Sequence, residues 1–294
     1  MNCSKIVLSF LLLSAHGSLR AAEQLVQPQI VKIPIKGAGT FGGEIDMVTH
    51  LYRPQGDDPV PVVIFSHGRS GEKDQRWDLK YPVPVGHGNF WLRKGFAVVA
   101  SVRPGYGETG GVDREASGTT GFGAGCRGIA NFSQVAKSAG QAVLANLDWL
   151  RTQPWARTEK LLLVGNSVGG LATIGVSALN PPGAVGAINF SGGSGGAPNV
   201  TPKRSCQPEK LTEAYGEFGK STQIPSLWLY AENDLYWGPD APREWHQAFA
   251  AGGSRTRFVM TAAVPDTEDG HQLLLRGGRL WSPHVNKFVQ ELGF

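Results

Sequence analysis

From residue 60 onward the chain alternates short, unbroken apolar runs with longer stretches whose apolar residues recur at helical spacing. This alternation constrains the fold more than any other feature. The runs "VPVVIFSHG" (60–68), "FAVVASVRPG" (96–105), "KLLLVGNS" (160–167), "AVGAINFSGG" (184–193), "PSLWLYAEND" (225–234) and "TRFVMTAAV" (256–264) read as strands. A strand without polar alternation has both faces buried, which is the habit of parallel sheets. Between them, 88–95, 131–154, 168–180 and 242–253 read as helices, and 282–294 closes the chain as another. The longest carries Val135, Ala139, Val143, Leu147 and Leu150 on one face and stops at Pro154. In the closing helix, Ser282 is placed as N-cap and Pro283 at the first position. Residues 28–53 form two β-rich pieces joined by the hairpin loop "GAGTFGG". The connection over 194–224 receives no element. The expected fold is α/β: a mostly parallel, doubly wound sheet with helices on both faces and catalytic residues at the carboxyl ends of its strands.

The chain has 294 residues, 41% hydrophobic and 18% charged, which suits one large domain or two small ones. No low-complexity linker divides it, so a single domain is expected over 23–294. Net charge is +4 with scattered Lys and Arg, and the longest basic run is "PKRSC". Nucleic acid is therefore not expected as a partner. Two G-x-G-x-x-G matches, at 37–42 and 105–110, lack the strand and helix context of a dinucleotide site and read as turns. No His, Cys and Asp cluster shows metal-ligand spacing, so no metal is expected. Nothing in the sequence speaks to oligomeric state.

The start, "MNCSKIVLSFLLLSAHGSLRAAEQ", has Lys5 before an apolar run from Ile6 to Leu13 and then small residues. This layout reads as a secretory signal peptide over 1–17, with cleavage after Ala21 or Ala22 as the fallback. The protein is then periplasmic or secreted. Cys3 leaves with the signal, and Cys126 and Cys206 are expected to form a disulfide in the oxidising compartment. The uncharged run 161–179 has membrane-span length, but it breaks at Gly165 and holds Gly169-Gly170. It reads better as a buried strand and helix, so no stable membrane insertion is expected after signal cleavage.

The pattern G-x-S-x-G occurs twice: Gly165-Asn166-Ser167-Val168-Gly169 and Gly192-Gly193-Ser194-Gly195-Gly196. A nucleophile elbow needs a strand before the serine and a helix after it. Ser167 has both. Ser194 is followed by Pro198 and Pro202, which oppose a helix. Ser167 is therefore the expected nucleophile, and the loop 191–197 is expected at the same rim. A serine needs a base, itself oriented by an acid. His271, in the loop after the last strand, is the expected base, and Asp234, at the end of its strand, the expected acid. Asp266 and Asp269 are alternatives for the acid, while Glu232 should point elsewhere. His246, His284, His50 and His87 lie away from the strand ends. His67 ends a strand beside the site but comes early, and is expected to shape the site rather than act as the base. The oxyanion of acyl transfer needs N–H donors, expected from the backbones of Val168 and Arg69. The Arg69 side chain reads as a solvated loop arginine or as a contact for a substrate anion. Arg103 and Tyr106, from "RPGYG", and Tyr236 and Trp237, after the acid, are candidate pocket walls.

The segments "IFSHGRSG", "ASVRPGYGETGG", "LLLVGNSVGG", "WLYAENDLYWGP" and "DGHQLL" together resemble the α/β-hydrolase superfamily. Without a large cap, the chain is most similar to dienelactone hydrolase-like enzymes. The resemblance covers about residues 60–290 and implies an α/β-hydrolase fold, a Ser–His–Asp triad and no cofactor. One departure matters. Dienelactone hydrolases proper use a cysteine nucleophile, and this elbow carries Ser167. The resemblance thus implies hydrolysis of a small-molecule carboxylic ester through an acyl-enzyme. A peptidase of the same fold and a noncatalytic binding protein are the rival readings.

Overall fold

The computed structural model describes residues 27–119 and 126–294. The expected signal peptide lies outside them. Eight strands form one sheet in the order β1-β2-β4-β3-β5-β6-β7-β8. They are β1 (Gln29–Ile35), β2 (Ile45–Tyr52), β3 (Val60–Ser66), β4 (Ala97–Ser101), β5 (Ala156–Asn166), β6 (Ala184–Phe190), β7 (Ser226–Ala231) and β8 (Thr256–Thr261). β1 pairs antiparallel with β2, and β2 antiparallel with β4. From β4 to β8 every pairing is parallel. The mostly parallel sheet expected from the apolar runs is present.

The runs are apolar throughout because both faces are covered. On β3, Val62 and Ile64 point into one core while Val63 and Phe65 point into the other. On β5, Leu161 and Leu163 divide from Leu162 and Val164 in the same way. This is the two-residue period of a strand, and full burial of each such side chain stabilises by about 1.5–3 kcal/mol. The first face is covered by α3 (Phe132–Leu150), α4 (Val168–Ser177), α5 (Pro208–Ser221) and α6 (Ala241–Ala251). The second is covered by α2 (Val85–Leu92), α7 (Leu273–Arg276) and α8 (Gly278–Glu291). A short α1 (Lys73–Trp77) follows β3.

Three elements differ from expectation. α5 fills the connection left unassigned: Pro208 opens it, and Leu211 and Tyr215, one turn apart, bury its inner face. α2 begins at Val85, three residues before the expected start, with Pro84 as its N-cap. α8 begins at Gly278 rather than after Ser282, so Pro283 lies inside it. Trp281 explains the last shift. It is buried, and its indole N–H donates to the Leu274 carbonyl at 3.2 Å, which draws the chain before Pro283 into helix.

Cys126 and Cys206 form a disulfide with Cα atoms 5.6 Å apart. It ties the segment before α3 to the stretch after β6, where Cys206 N–H also donates to the Gly195 carbonyl at 2.8 Å. Among the described residues no helix is long and apolar enough to cross a membrane.

Candidate active site

Ser167 stands between β5 and α4 at φ 56°, ψ −124°. A non-glycine residue at positive φ is strained, and such strain concentrates at functional turns. The neighbouring glycines permit the turn. A Cβ on Gly165 would lie 2.1 Å from the Gly169 carbonyl oxygen, and one on Gly169 would lie 2.0 Å from that of Ser66. No side chain fits at either place, so α4 starts hard against β3 and β5, with Ser167 held up at the strand end.

His271 lies in a single 3-10 turn, Gly270–Gln272, after β8. Its Nε2 is 3.0 Å from Ser167 Oγ and its Nδ1 is 3.0 Å from Asp234 Oδ2. Three residues far apart in sequence thus form one hydrogen-bonded chain. Asp234 is completely buried. Its Oδ1 accepts the backbone N–H groups of Tyr236 at 2.8 Å and Trp237 at 3.2 Å, leaving Oδ2 for the imidazole. Asp269, the alternative acid, does other work. Its Oδ1 accepts the backbone N–H of His271 at 2.9 Å and of Leu235 at 3.0 Å, which pins the histidine turn to the aspartate turn. Asp266 meets Arg276 only through its carbonyl, and Glu232 is exposed.

Ser194 lies in the wall of a cavity of about 250 Å³ onto which Ser167 opens. The rim loop comes close because it lacks side chains. A Cβ on Gly193 or Gly196 would meet the Trp237 ring at 2.9 or 2.8 Å. Trp237 is anchored by its indole N–H to the Ser191 carbonyl at 2.8 Å, and Tyr236 stacks on the His271 ring at 4.1 Å between centroids. Both aromatics line the cavity, as do Arg69 and Val168. Val168 is the first residue of α4, where N–H groups have no helical partner and favour negative charge. The loop carrying Arg69 passes directly over the serine: a Cβ on Gly68 would be 3.3 Å from that of Ser167.

Beneath this loop lies a charged network that no sequence spacing announced. The Arg69 side chain is mostly buried and held by its neighbours. It makes a two-pronged pair with Asp113, both contacts at 2.7 Å, and donates to the Tyr106 hydroxyl at 3.2 Å. Arg103, 1% exposed, pairs with Glu115 at 2.6 Å through Nε and 3.0 Å through Nη2, and it also donates to the His67 carbonyl. Tyr106 is buried and donates its hydroxyl to Glu115 at 2.6 Å. It braces this network and lines neither cavity that reaches Ser167, contrary to the expectation of a pocket wall. Arg103, Tyr106, Asp113 and Glu115 all stand in "RPGYGETGGVDREA", but they meet Arg69 and His67 only when that loop folds back on the end of β3.

His67 completes the support. Its Nε2 accepts the Arg103 backbone N–H at 3.1 Å, so its Nδ1–H donates to the Gly68 carbonyl at 2.7 Å. Burial, reinforced by the Arg103 charge, holds its pKa well below 6.5. It is a neutral strut for the loop over Ser167. Burial also pushes the Tyr236 phenol upward, with the Asp269 and Asp234 carboxylates adding to the effect. Among the described residues no group of His, Cys, Asp and Glu is placed to hold a metal ion.

Comparison with known proteins agrees with this architecture. The family model described as X-Pro dipeptidyl-peptidase (S15 family) matches residues 42–221, a span that includes Ser167 and ends before Asp234 and His271. No curated protein sequence matches. Among solved structures, the esterase Pf2001 of Pyrococcus furiosus is 14% identical with a TM-score of 0.57, covering 90% of this chain and 93% of its own. Est1E of Butyrivibrio proteoclasticus is 15% identical with a TM-score of 0.56, covering 90% and 98%. Acylaminoacyl peptidase of Pyrococcus horikoshii is 14% identical with a TM-score of 0.54, covering 91% of this chain, which spans only 41% of that protein's length. At these identities the likeness is one of fold.

Proposed function

The chain belongs to the X-Pro dipeptidyl-peptidase (S15) family of α/β-hydrolases, and from the geometry of its site we propose that it cleaves carboxylic esters through an acyl-enzyme at Ser167. The observation that carries this reading is the unbroken Ser167–His271–Asp234 chain, with both contacts at 3.0 Å. Ser167 Oγ attacks the ester carbonyl as its proton passes to His271 Nε2. The carbonyl becomes an oxyanion, held by the backbone N–H groups of Val168 and Arg69. The C–O bond to the alcohol then breaks, and His271 returns the proton to the departing oxygen. Water, activated by the same imidazole, releases the acid. Asp234 keeps the Nδ1–H tautomer and stabilises the imidazolium. Tyr236 and Trp237 wall the bound substrate.

The family description names a dipeptidyl peptidase, and one feature of the site favours esters instead. A free peptide amino terminus needs an available carboxylate. Among the described residues Glu115 is the acidic side chain in the wall of the 250 Å³ cavity, and both of its oxygens are engaged by Arg103 and Tyr106. The lengthwise match to two esterases fits the same reading.

Fluorophosphonate labelling tests the nucleophile: labelling should vanish in Ser167→Ala and persist in Ser194→Ala, and the opposite result overturns the assignment. Turnover of simple carboxylic esters beside X-Pro anilides tests the reaction, and exclusive cleavage of the anilides would remove the ester reading. We also assign the protein to the periplasm or exterior as a single domain after loss of residues 1–17. The Cys126–Cys206 disulfide and the apolar run near the amino terminus support this. The mature amino terminus, read by mass spectrometry from the exported fraction, checks it.

A further inference from the structure

A second cavity, of about 560 Å³, also reaches Ser167. The two cavities share Ser167, Arg69 and Tyr236, but Val168 lines only the smaller and His271 only the larger. That difference orients the substrate. The proton returned by His271 Nε2 must reach the departing oxygen across one hydrogen bond, about 3 Å. The departing alcohol therefore lies in the cavity that His271 lines. The acyl group, whose oxyanion faces Val168, lies in the other.

The two spaces differ in chemistry. Phe65, Val83 and Leu274 are buried in the wall of the larger one, and Tyr81, Val85 and Leu275 form its rim. The rim residues are 65%, 47% and 64% exposed, so large apolar side chains stand in water where the trough meets the surface. The smaller cavity is closed by the Trp237 ring on the Gly193 and Gly196 side. Opposite stand Arg69 and Arg76, both already bonded: Arg76 pairs with Asp113 at 3.3 Å and donates to the Ser70 and Gly71 carbonyls at 2.9 Å each.

Resting on the ester reading above, we propose that the 560 Å³ trough is the leaving-group site, and that the substrates are esters of short acids with extended apolar alcohols. Tyr81, Val85 and Leu275 are its specificity-determining residues. Each methylene placed in the trough leaves water, and Tyr81, Val85 and Leu275 let the chain continue to the surface along apolar side chains, beside the polar Ser70, Gln75 and Asn166 that also line the trough.

Two mirrored ester series test this: acetates of alcohols from ethyl to octyl, and ethyl esters of acids from acetate to octanoate, each run beside the corresponding amides. In the alcohol series kcat/KM should rise about two- to fourfold per methylene over the first several carbons. In the acid series it should fall beyond butanoate. The exposed double variant Tyr81→Ser/Leu275→Ser should flatten the alcohol series to within about threefold overall while the acid series keeps its slope. A rise along the acid series, or its flattening in the double variant, would place the acyl group in the trough and overturn the proposal. If only the amides are cleaved, the ester reading fails, and the same size dependence along amine and acid series still decides the role of the trough. If no member of any series is turned over and fluorophosphonate does not label Ser167, both fall together.

Discussion

At Ser167 a strained backbone and a reactive hydroxyl occupy the same atom set. Its φ of 56° costs about 1–3 kcal/mol that glycine would not incur. Ser167→Gly should therefore raise the unfolding free energy by about 1 kcal/mol in urea titration while lowering ester turnover by about 10⁴-fold or more. A destabilised Ser167→Gly protein would show that the turn is relaxed as it stands. Asp234→Asn probes a different property. Asparagine Oδ1 can keep both backbone N–H bonds, but its amide presents donors to His271 Nδ1. The imidazole is then driven to the tautomer with hydrogen on Nε2, which cannot accept the serine proton. Turnover should drop about 10³–10⁴-fold with little change in the melting temperature. Asp269→Ala should lower both, because that carboxylate holds the His271 turn through backbone bonds rather than touching the ring. The triad residues themselves could be read from sequence, since a serine at a strand-to-helix turn, an aspartate at a strand end and a late histidine leave few choices. Tyr106 could not. It stands near the site in sequence, yet its burial under Arg69 follows from the path of a loop.

At the scale of elements, the elbow depends on what is missing from its glycines. Gly169→Ala places a methyl 2.0 Å from the Ser66 carbonyl oxygen, a backbone atom that cannot swing aside. Loss of about 3 kcal/mol or more is expected, or failure to fold. Gly71→Ala is the control, with nothing within 4 Å of the added methyl, and should change stability by less than about 0.5 kcal/mol. Equal effects from the two would remove close packing as the reason for the elbow glycines. The strands of the parallel sheet were legible because both their faces are buried, which leaves no polar interruption. α5 was not legible. Leu211, Tyr215 and Phe218 are its large apolar side chains toward the core, Gly216 and Gly219 lie against α6, and the charged residues between them make the stretch resemble a loop. The start of α8 was hidden for the opposite reason: Pro283 looks like a helix opening, and the burial of Trp281 overrides it.

Over the whole molecule, buried histidines tie stability to pH. Burial lowers the pKa of His67 well below 6.5, of His87 to about 3 and of His246 to about 4. Each is neutral in the fold and takes up a proton on unfolding once the pH drops below about 6.5. Their contribution is fully present above that pH and lost as the pH falls toward the folded values. His50, whose pKa burial also lowers, adds in the same direction, so the slope of unfolding free energy against pH should reach about three protons per molecule or more near pH 5, and His246→Gln should remove about one. A flat profile between pH 7 and 5 would contradict this. Asp113 acts with the same sign at lower pH: burial opposes its charge, but Arg69 outweighs it and holds the carboxyl below its ordinary range. The disulfide acts on the unfolded chain. It closes a loop of 80 residues, so Cys126→Ser/Cys206→Ser should lose about 2–5 kcal/mol by denaturant titration.

The sequence by itself determined the doubly wound sheet and set out Ser167, His271 and Asp234 as the candidate triad that the fold brings into one hydrogen-bonded chain. These rest on local rules: strand burial shows as apolar runs, an elbow needs a helix after it, and strand ends collect the catalytic groups. Only the tertiary structure shows that Ser167 opens onto two cavities, with Val168 lining one and His271 the other. It alone also decided that Arg69 and Glu115 are bound to neighbours rather than available to a ligand, and that Asp269 braces the base. Those outcomes depend on segments from six strand ends, β3 to β8, meeting in space, and the distances between them are set by packing, which no short stretch of residues contains.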